Sequence, residues 1–149
     1  MPTNLLRKTA DARKPHQRVQ ESTAAKRFAL LTAGRISLRI ELLGTQTANR
    51  VWQALPLYST AETWGASIHF ETPLETGRDR TARINGTPGE IYFWVENDRI
   101  LVPFGPTPIS RPKESRLPAP CNVWARALDD VHALAAVTPG EKVSLVAMP

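Results

Sequence analysis

Only one cysteine, Cys121, occurs in the 149 residues. It cannot form an internal disulfide, so a reducing, cytoplasmic compartment is the expectation. Cys121 lies between Pro120 and Asn122 with no histidine near it in sequence, and reads as a small buried apolar residue. Apolar runs extend only a few residues, so neither a transmembrane helix nor a secretory signal core is expected. The usual chemical motifs are missing too. There is no Gly-x-Ser-x-Gly elbow, no Gly-x-Gly-x-x-Gly turn and no Walker pattern. His16, His69 and His132 stand far apart, and no Cys/His spacing suits zinc. The sequence therefore calls for no cofactor and no metal. Long helices are excluded by the thirteen prolines, which interrupt helical hydrogen bonding.

Positive charge is plentiful, but only at one end. Arg7, Lys8, Arg13, Lys14, Arg18, Lys26 and Arg27 face just two acids, Asp11 and Glu21, before Gly34. Those 33 residues thus hold the whole net charge of +5, and twelve basic and twelve acidic residues balance in the remainder. A nucleic acid would need a basic folded face, and the domain offers none. Only the basic tail could serve a polyanion. The tail is poor in large apolar residues and cannot offset the cost of ordering, so residues 1–33 read as a disordered tail and 34–149 as one domain. An Arg-rich, acid-poor start also resembles an organelle transit peptide, but Asp11 and Lys14-Pro15 break the amphipathic helix that such a signal needs.

Within the domain a period of two dominates. Ile36, Leu38, Ile40 and Leu42 alternate with polar neighbours, which marks a strand with one wet face. Thr45 or Thr47 can cap a short helix over 48–55, which Pro56 stops. Residues 57–59, 66–71 and 80–84 read as further short strands. In 90–95 both faces are apolar, so that strand must be covered on both sides. Asn97-Asp98 suits a tight hairpin turn into 99–104. Six of the thirteen prolines fall in 103–120, which predicts a long loop. A strand over 122–128, a short helix capped by Asp129 through Val137, and a last strand over 141–147 complete the chain. About seven short strands and two short helices predict a mainly-β closed barrel or sandwich.

Three segments carry a resemblance. They are Gly86-Thr87-Pro88-Gly89-Glu90-Ile91-Tyr92-Phe93-Trp94, Phe104-Gly105-Pro106-Thr107-Pro108, and Pro139-Gly140-Glu141-Lys142-Val143. Trp64-Gly65 followed by Ile68-His69-Phe70 joins them. Together they resemble a small prokaryotic group with an atypical, minimal cyclophilin-like fold, over about Gly34 to Val146. The resemblance implies a closed antiparallel barrel with a helix over an open end. Cyclophilins proper are peptidyl-prolyl cis-trans isomerases. They hold the proline ring in an apolar pocket and set an arginine near the peptide nitrogen, whose amide resonance gives a barrier of about 18–20 kcal/mol. The Phe-x-Arg, Gly-Phe and Gln-Gly-Gly patterns of those enzymes are absent, and the corresponding strand reads Ser67-Ile68-His69-Phe70-Glu71. No catalytic arginine is carried over.

The expected site is a binding site for a peptide or small ligand, with a divergent prolyl isomerase as the alternative. Its candidate residues are Trp64, His69, Tyr92, Trp94, Phe104 and Thr107. Tyr92 and Trp94 combine an apolar ring with a polar tip suited to a wet rim. His69 lies on the polar face of its strand as a donor or acid/base group, or as a solvated histidine. Phe70 and Phe104 also fit plain barrel core. Arg83, Arg99 and Arg126 read as solvated strand residues, any one of which can turn into a pocket. The prolines of 103–108 predict a rigid pocket wall carrying the Thr107 hydroxyl, and 111–117 reads as mobile.

Overall fold

The computed structural model describes residues 25–149. The expected tail therefore lies, for residues 1–24, outside the described residues. Its last part is corrected by the structure. Phe28–Ala33 is strand β1, which pairs with β2 (Ile36–Leu42) on one side and β10 (Lys142–Ala147) on the other. Ala29, Leu31 and Ala33 point into the core. Two of those three are alanines, which weakened the alternation in the sequence. The boundary expected at 33/34 instead falls inside a hairpin. Gly34 turns there with φ +59°, and a Cβ on it would stand 2.6 Å from a carboxylate oxygen of Glu141.

Helix α1, Gln46–Ala54, follows β2. Thr45 caps it, its hydroxyl accepting from the Ala48 N–H at 3.0 Å. Thr47, Ala48 and Val51 form its buried face. Four short strands follow: β3 (Leu57–Thr60), β4 (Glu62–Thr63), β5 (Ser67–Glu71) and β6 (Arg83–Gly86). Strands β7 (Glu90–Trp94) and β8 (Arg99–Pro103) form the expected hairpin, turned by a single 3-10 turn over Val95–Asn97 and by Asp98 at φ 53°. Strand β9 is thirteen residues long, Ser115–Ala127.

All pairings are antiparallel, in the order β3-β10-β1-β2-β9-β7-β8-β5-β4. The two ends of this path, β3 and β4, are separated in the chain by Ala61 alone. Ala61 also exchanges backbone hydrogen bonds of 2.8 Å with Glu141 and Gly140. The sheet thus curls round until its edges are consecutive residues, a nearly closed barrel that leaves little free edge.

Leu31, Leu38, Ile40, Phe70, Phe93 and Ile100 fill the interior. A bulge in β9 opposite Ile91/Tyr92 adds Trp124 to this core, fully buried, with no partner for its Nε1 among the described residues. The outer face of β7, β8 and β9 carries a second cluster of Tyr92, Leu101, Leu117, Cys121 and Val123. Strand β6 pairs with β9 beside it. Strand β7 is therefore covered on both faces, as its sequence demands.

Two expectations need correction. The proline-rich stretch is a loop only as far as Glu114, because β9 begins at Ser115 and Leu117 is fully buried in the outer cluster. Its remaining prolines, Pro118 and Pro120, fall where the β6–β9 register is irregular, so no ladder bond is needed from them. The helix expected after Asp129 is a 3-10 turn, Val131–Ala136, capped instead by Asp130. Asp129 is held elsewhere, accepting from the Arg39 backbone N–H at 2.9 Å and from its guanidinium at 2.8 and 3.1 Å. Among the described residues no helix is long and apolar enough to cross a membrane.

Candidate functional site

A cavity of about 350 Å³ opens on the outside of the barrel wall. Trp64, Trp94 and Pro118 supply its apolar walls, and Glu62, His69, Asn97 and Arg99 its polar ones. Strand register explains the gathering. Glu62 on β4 stands opposite His69 on β5, and Trp94 on β7 stands opposite Arg99 on β8. His69 stands opposite Leu101, two residues along β8 from Arg99, so it is the diagonal neighbour of Arg99 on one face. The same period of two that sends Ile68 and Phe70 inward sends His69 outward.

These side chains are tied together. One Nη1 hydrogen of Arg99 goes to Glu62 Oε2 at 2.7 Å, and Nη1 also donates to His69 Nδ1 at 3.2 Å. Arginine only donates, so Nδ1 must be the accepting nitrogen and the ring hydrogen sits on Nε2. Partial burial lowers the pKa of His69 below its ordinary value, and the Arg99 charge adds to this, against a smaller opposing effect of Glu62. The neutral form of His69 is thereby favoured, and the ring meets Trp94 in a T-shaped arrangement with centroids 6.1 Å apart. The Arg99 side chain is 21% exposed, whereas that of Glu62 is 55% exposed and sits at the wet rim.

Of the six sequence-predicted residues, the cavity gathers Trp64, His69 and Trp94. The other three stand elsewhere. Tyr92 is fully buried rather than at a rim, its hydroxyl donating to Glu90 at 2.8 Å and accepting from the Thr87 N–H at 2.8 Å. Burial also drives its pKa well up. Phe104 packs against the barrel core. Thr107 is 6% exposed and lines neither this cavity nor a second one. Its hydroxyl donates to the Arg116 carbonyl at 2.5 Å and meets the Ser110 hydroxyl at 3.0 Å.

Phe104–Pro108 is instead a strut behind the site. Gly65 sits against it at φ +59°, where a Cβ would lie 2.7 Å from Pro108 Cδ and 2.9 Å from Thr107 Cα. Ala66 N–H donates to Pro106, and Phe104 N–H to Ala66, both at 2.8 Å. On its other side Ser110 Oγ accepts from the N–H groups of Thr107 and Arg116 at 2.8 and 2.9 Å. The strut thus joins the Trp64 turn to the stretch of β9 that carries Pro118. Sequence reasoning missed Glu62, Asn97 and Pro118, which are brought in by pairing and turns rather than by any local pattern. Arg99 was visible only as one of three strand arginines.

A second, wider groove of about 580 Å³ lies between α1 and residues 72–75, with Arg50, Gln53, Glu75 and Asp98 among its lining. None of the sequence-predicted residues lines it. It lacks aromatic walls, which makes it the poorer candidate for a small ligand.

A family model described as Cyclophilin-like matches residues 27–146. The chain belongs to the cyclophilin-like family. The match starts one residue before β1 and spans the whole barrel of this cyclophilin-like domain. A hypothetical protein from Archaeoglobus fulgidus, known from its solution structure, is similar in fold with a TM-score of 0.71 and 27% identity, over 81% of this chain and 94% of the archaeal one. McbB, solved in complex with tryptophan, shares the fold at a TM-score of 0.61 and 15% identity, over 79% of this chain and 44% of McbB. No curated protein matches the sequence.

Proposed function

We propose that this cyclophilin-like domain is a binding module for a peptide or small molecule, and that the ligand enters the outer-face cavity. One observation carries the reading: two tryptophans and a proline wall a cavity whose polar groups are already fixed by the Glu62–Arg99–His69 chain of hydrogen bonds. Apolar walls with a few set polar groups are what small-ligand sites share. The fixed arginine keeps its geometry without a ligand, which lowers the ordering cost of binding. The lone cysteine fits a cytoplasmic setting.

A thermal-shift screen of peptides and fragments tests this. A ligand present at a hundred times its Kd stabilises the fold by about 2.7 kcal/mol. Hits should lose that effect in the Trp94→Ala and Arg99→Ala variants. Hits that stabilise both variants as well as the wild type would place the site elsewhere.

A second reading, a divergent prolyl isomerase, is favoured by Arg99, an arginine beside an apolar wall. Against it, Glu62 is paired with Arg99 and shares its charge. A proline-peptide assay separates the two, since enzymes typically turn over at about 1–10³ per second.

A further inference from the structure

The guanidinium of Arg99 has five N–H donors. The two on Nη1 serve Glu62 and His69. The Nε and Nη2 donors have no partner among the described residues. Nε–H and one Nη2–H run parallel along one edge of the group, the fork that matches a carboxylate. Glu62 likewise uses only Oε2 on Arg99, and Oε1 has no partner among the described residues. With His69 neutral, the cavity holds one positive and one negative charge side by side.

That pairing selects by charge. A simple anion drawn to the fork also meets the carboxylate of Glu62. A simple cation drawn to Glu62 also meets Arg99. A ligand with a carboxylate and an ammonium on one carbon satisfies both. The cavity, at about 350 Å³, lies at the small end of ligand sites, which run from about 300 Å³, and it suits one residue-sized molecule. Trp64, Trp94 and Pro118 then offer an apolar surface to its side chain.

We infer that the site takes a free α-amino acid with an aromatic side chain, the carboxylate on the Arg99 fork and the ammonium on Glu62. The inference rests on the binding-site reading above and narrows it to one ligand class.

The test compares L-phenylalanine with 3-phenylpropanoate, which lacks the ammonium, and 2-phenylethylamine, which lacks the carboxylate. Indole, which is uncharged, is the fourth probe. Binding to the full chain is followed through the indole N–H signals of Trp64 and Trp94 by NMR. Phenylalanine should bind at least tenfold more tightly than either truncated analogue. In Glu62→Gln its affinity should fall at least tenfold, and that of 3-phenylpropanoate should rise. Equal binding of 3-phenylpropanoate and phenylalanine by the wild type would overturn the inference. So would a Glu62→Gln variant that binds all four probes unchanged. If indole moves both signals and phenylalanine does not, the amino-acid inference falls while the binding site stands. If no probe moves either signal, both fall.

Discussion

Replacing Thr107 with valine tests whether Phe104–Pro108 acts as a strut behind the site. Valine keeps the shape and removes the hydroxyl. The substitution removes the 2.5 Å bond to the Arg116 carbonyl and leaves the Ser110 hydroxyl without its acceptor at 3.0 Å. Thr107 is only 6% exposed, so water cannot readily replace either bond. A net hydrogen bond is worth about 1 kcal/mol, and a buried group left without a partner costs about 1–3 kcal/mol. The expected loss is about 2–3 kcal/mol. For a domain of this size 1 kcal/mol corresponds to roughly 3–6 °C, so Tm should fall by about 6–18 °C. Thr107→Ser keeps the hydroxyl and should lose much less. The functional readout is separate: the indole N–H of Trp64 should shift in the valine variant, because the strut sets the Trp64 turn. A Thr107→Val protein that melts within about 2 °C of wild type, with the Trp64 signal unmoved, would refute the strut.

Four further perturbations bear on the fold and the site. Gly65→Ala forces a side chain into the left-handed region and against Pro108 and the Thr107 backbone, so a loss of about 2 kcal/mol or more is expected by chemical denaturation, and a neutral result would show that the turn can move freely. His69 has a lowered folded-state pKa, so it contributes stability in full above its unfolded pKa near 6.5, and that contribution declines as pH falls below 6.5 towards the folded value. A denaturation series from pH 8 to 5 should show this decline in wild type and lose it in His69→Gln. Asp129 titrates in a separate window, because Arg39 holds its carboxyl at about 2, so its effect is lost only as pH falls from about 3.8 towards 2. Deleting residues 1–33 removes β1 from between β10 and β2 and should abolish the folded state by circular dichroism, whereas a chain starting at residue 25 keeps every described strand; a folded 34–149 fragment would contradict the topology.

Much of the fold can be read locally. The alternation of Ile36 to Leu42, the Thr45 cap, the stop at Pro56 and the two apolar faces of 90–95 each have a local physical cause, and each is found. Strand β1 escaped because two of its inward residues are alanines lying beside a basic segment. The first half of β9 escaped because prolines argue against a strand, and only the register irregularity opposite β6 lets them sit there. The site was half legible for a related reason. Period-two alternation places His69 and Trp94 on outward faces, and the Trp64-Gly65 turn is a local signal. Alternation does not say which strands are neighbours, so the Glu62–His69 pairing could not be foreseen, and the expected Asn97-Asp98 hairpin made the strands of Trp94 and Arg99 neighbours without fixing their register. Phe104 and Thr107 were read as a pocket wall because rigidity is legible from prolines, but the side of the wall that a rigid segment occupies is not.

The central claim is that ligand enters the outer-face cavity rather than the barrel interior. The chain has four tryptophans, and each indole N–H gives its own NMR signal. Trp64 and Trp94 line the cavity. Trp124 is buried in the interior, and Trp52 lies on α1 beneath Arg27, whose guanidinium carbon stands 5.7 Å from the Trp52 ring centroid. Titrating an aromatic fragment into the full chain therefore tells the cavity from the barrel interior, with Trp52 as a further reporter on α1. The account predicts saturable shifts at Trp64 and Trp94, with Trp52 and Trp124 unmoved. Saturable shifts at Trp52 or Trp124, with Trp64 and Trp94 unmoved, would contradict it.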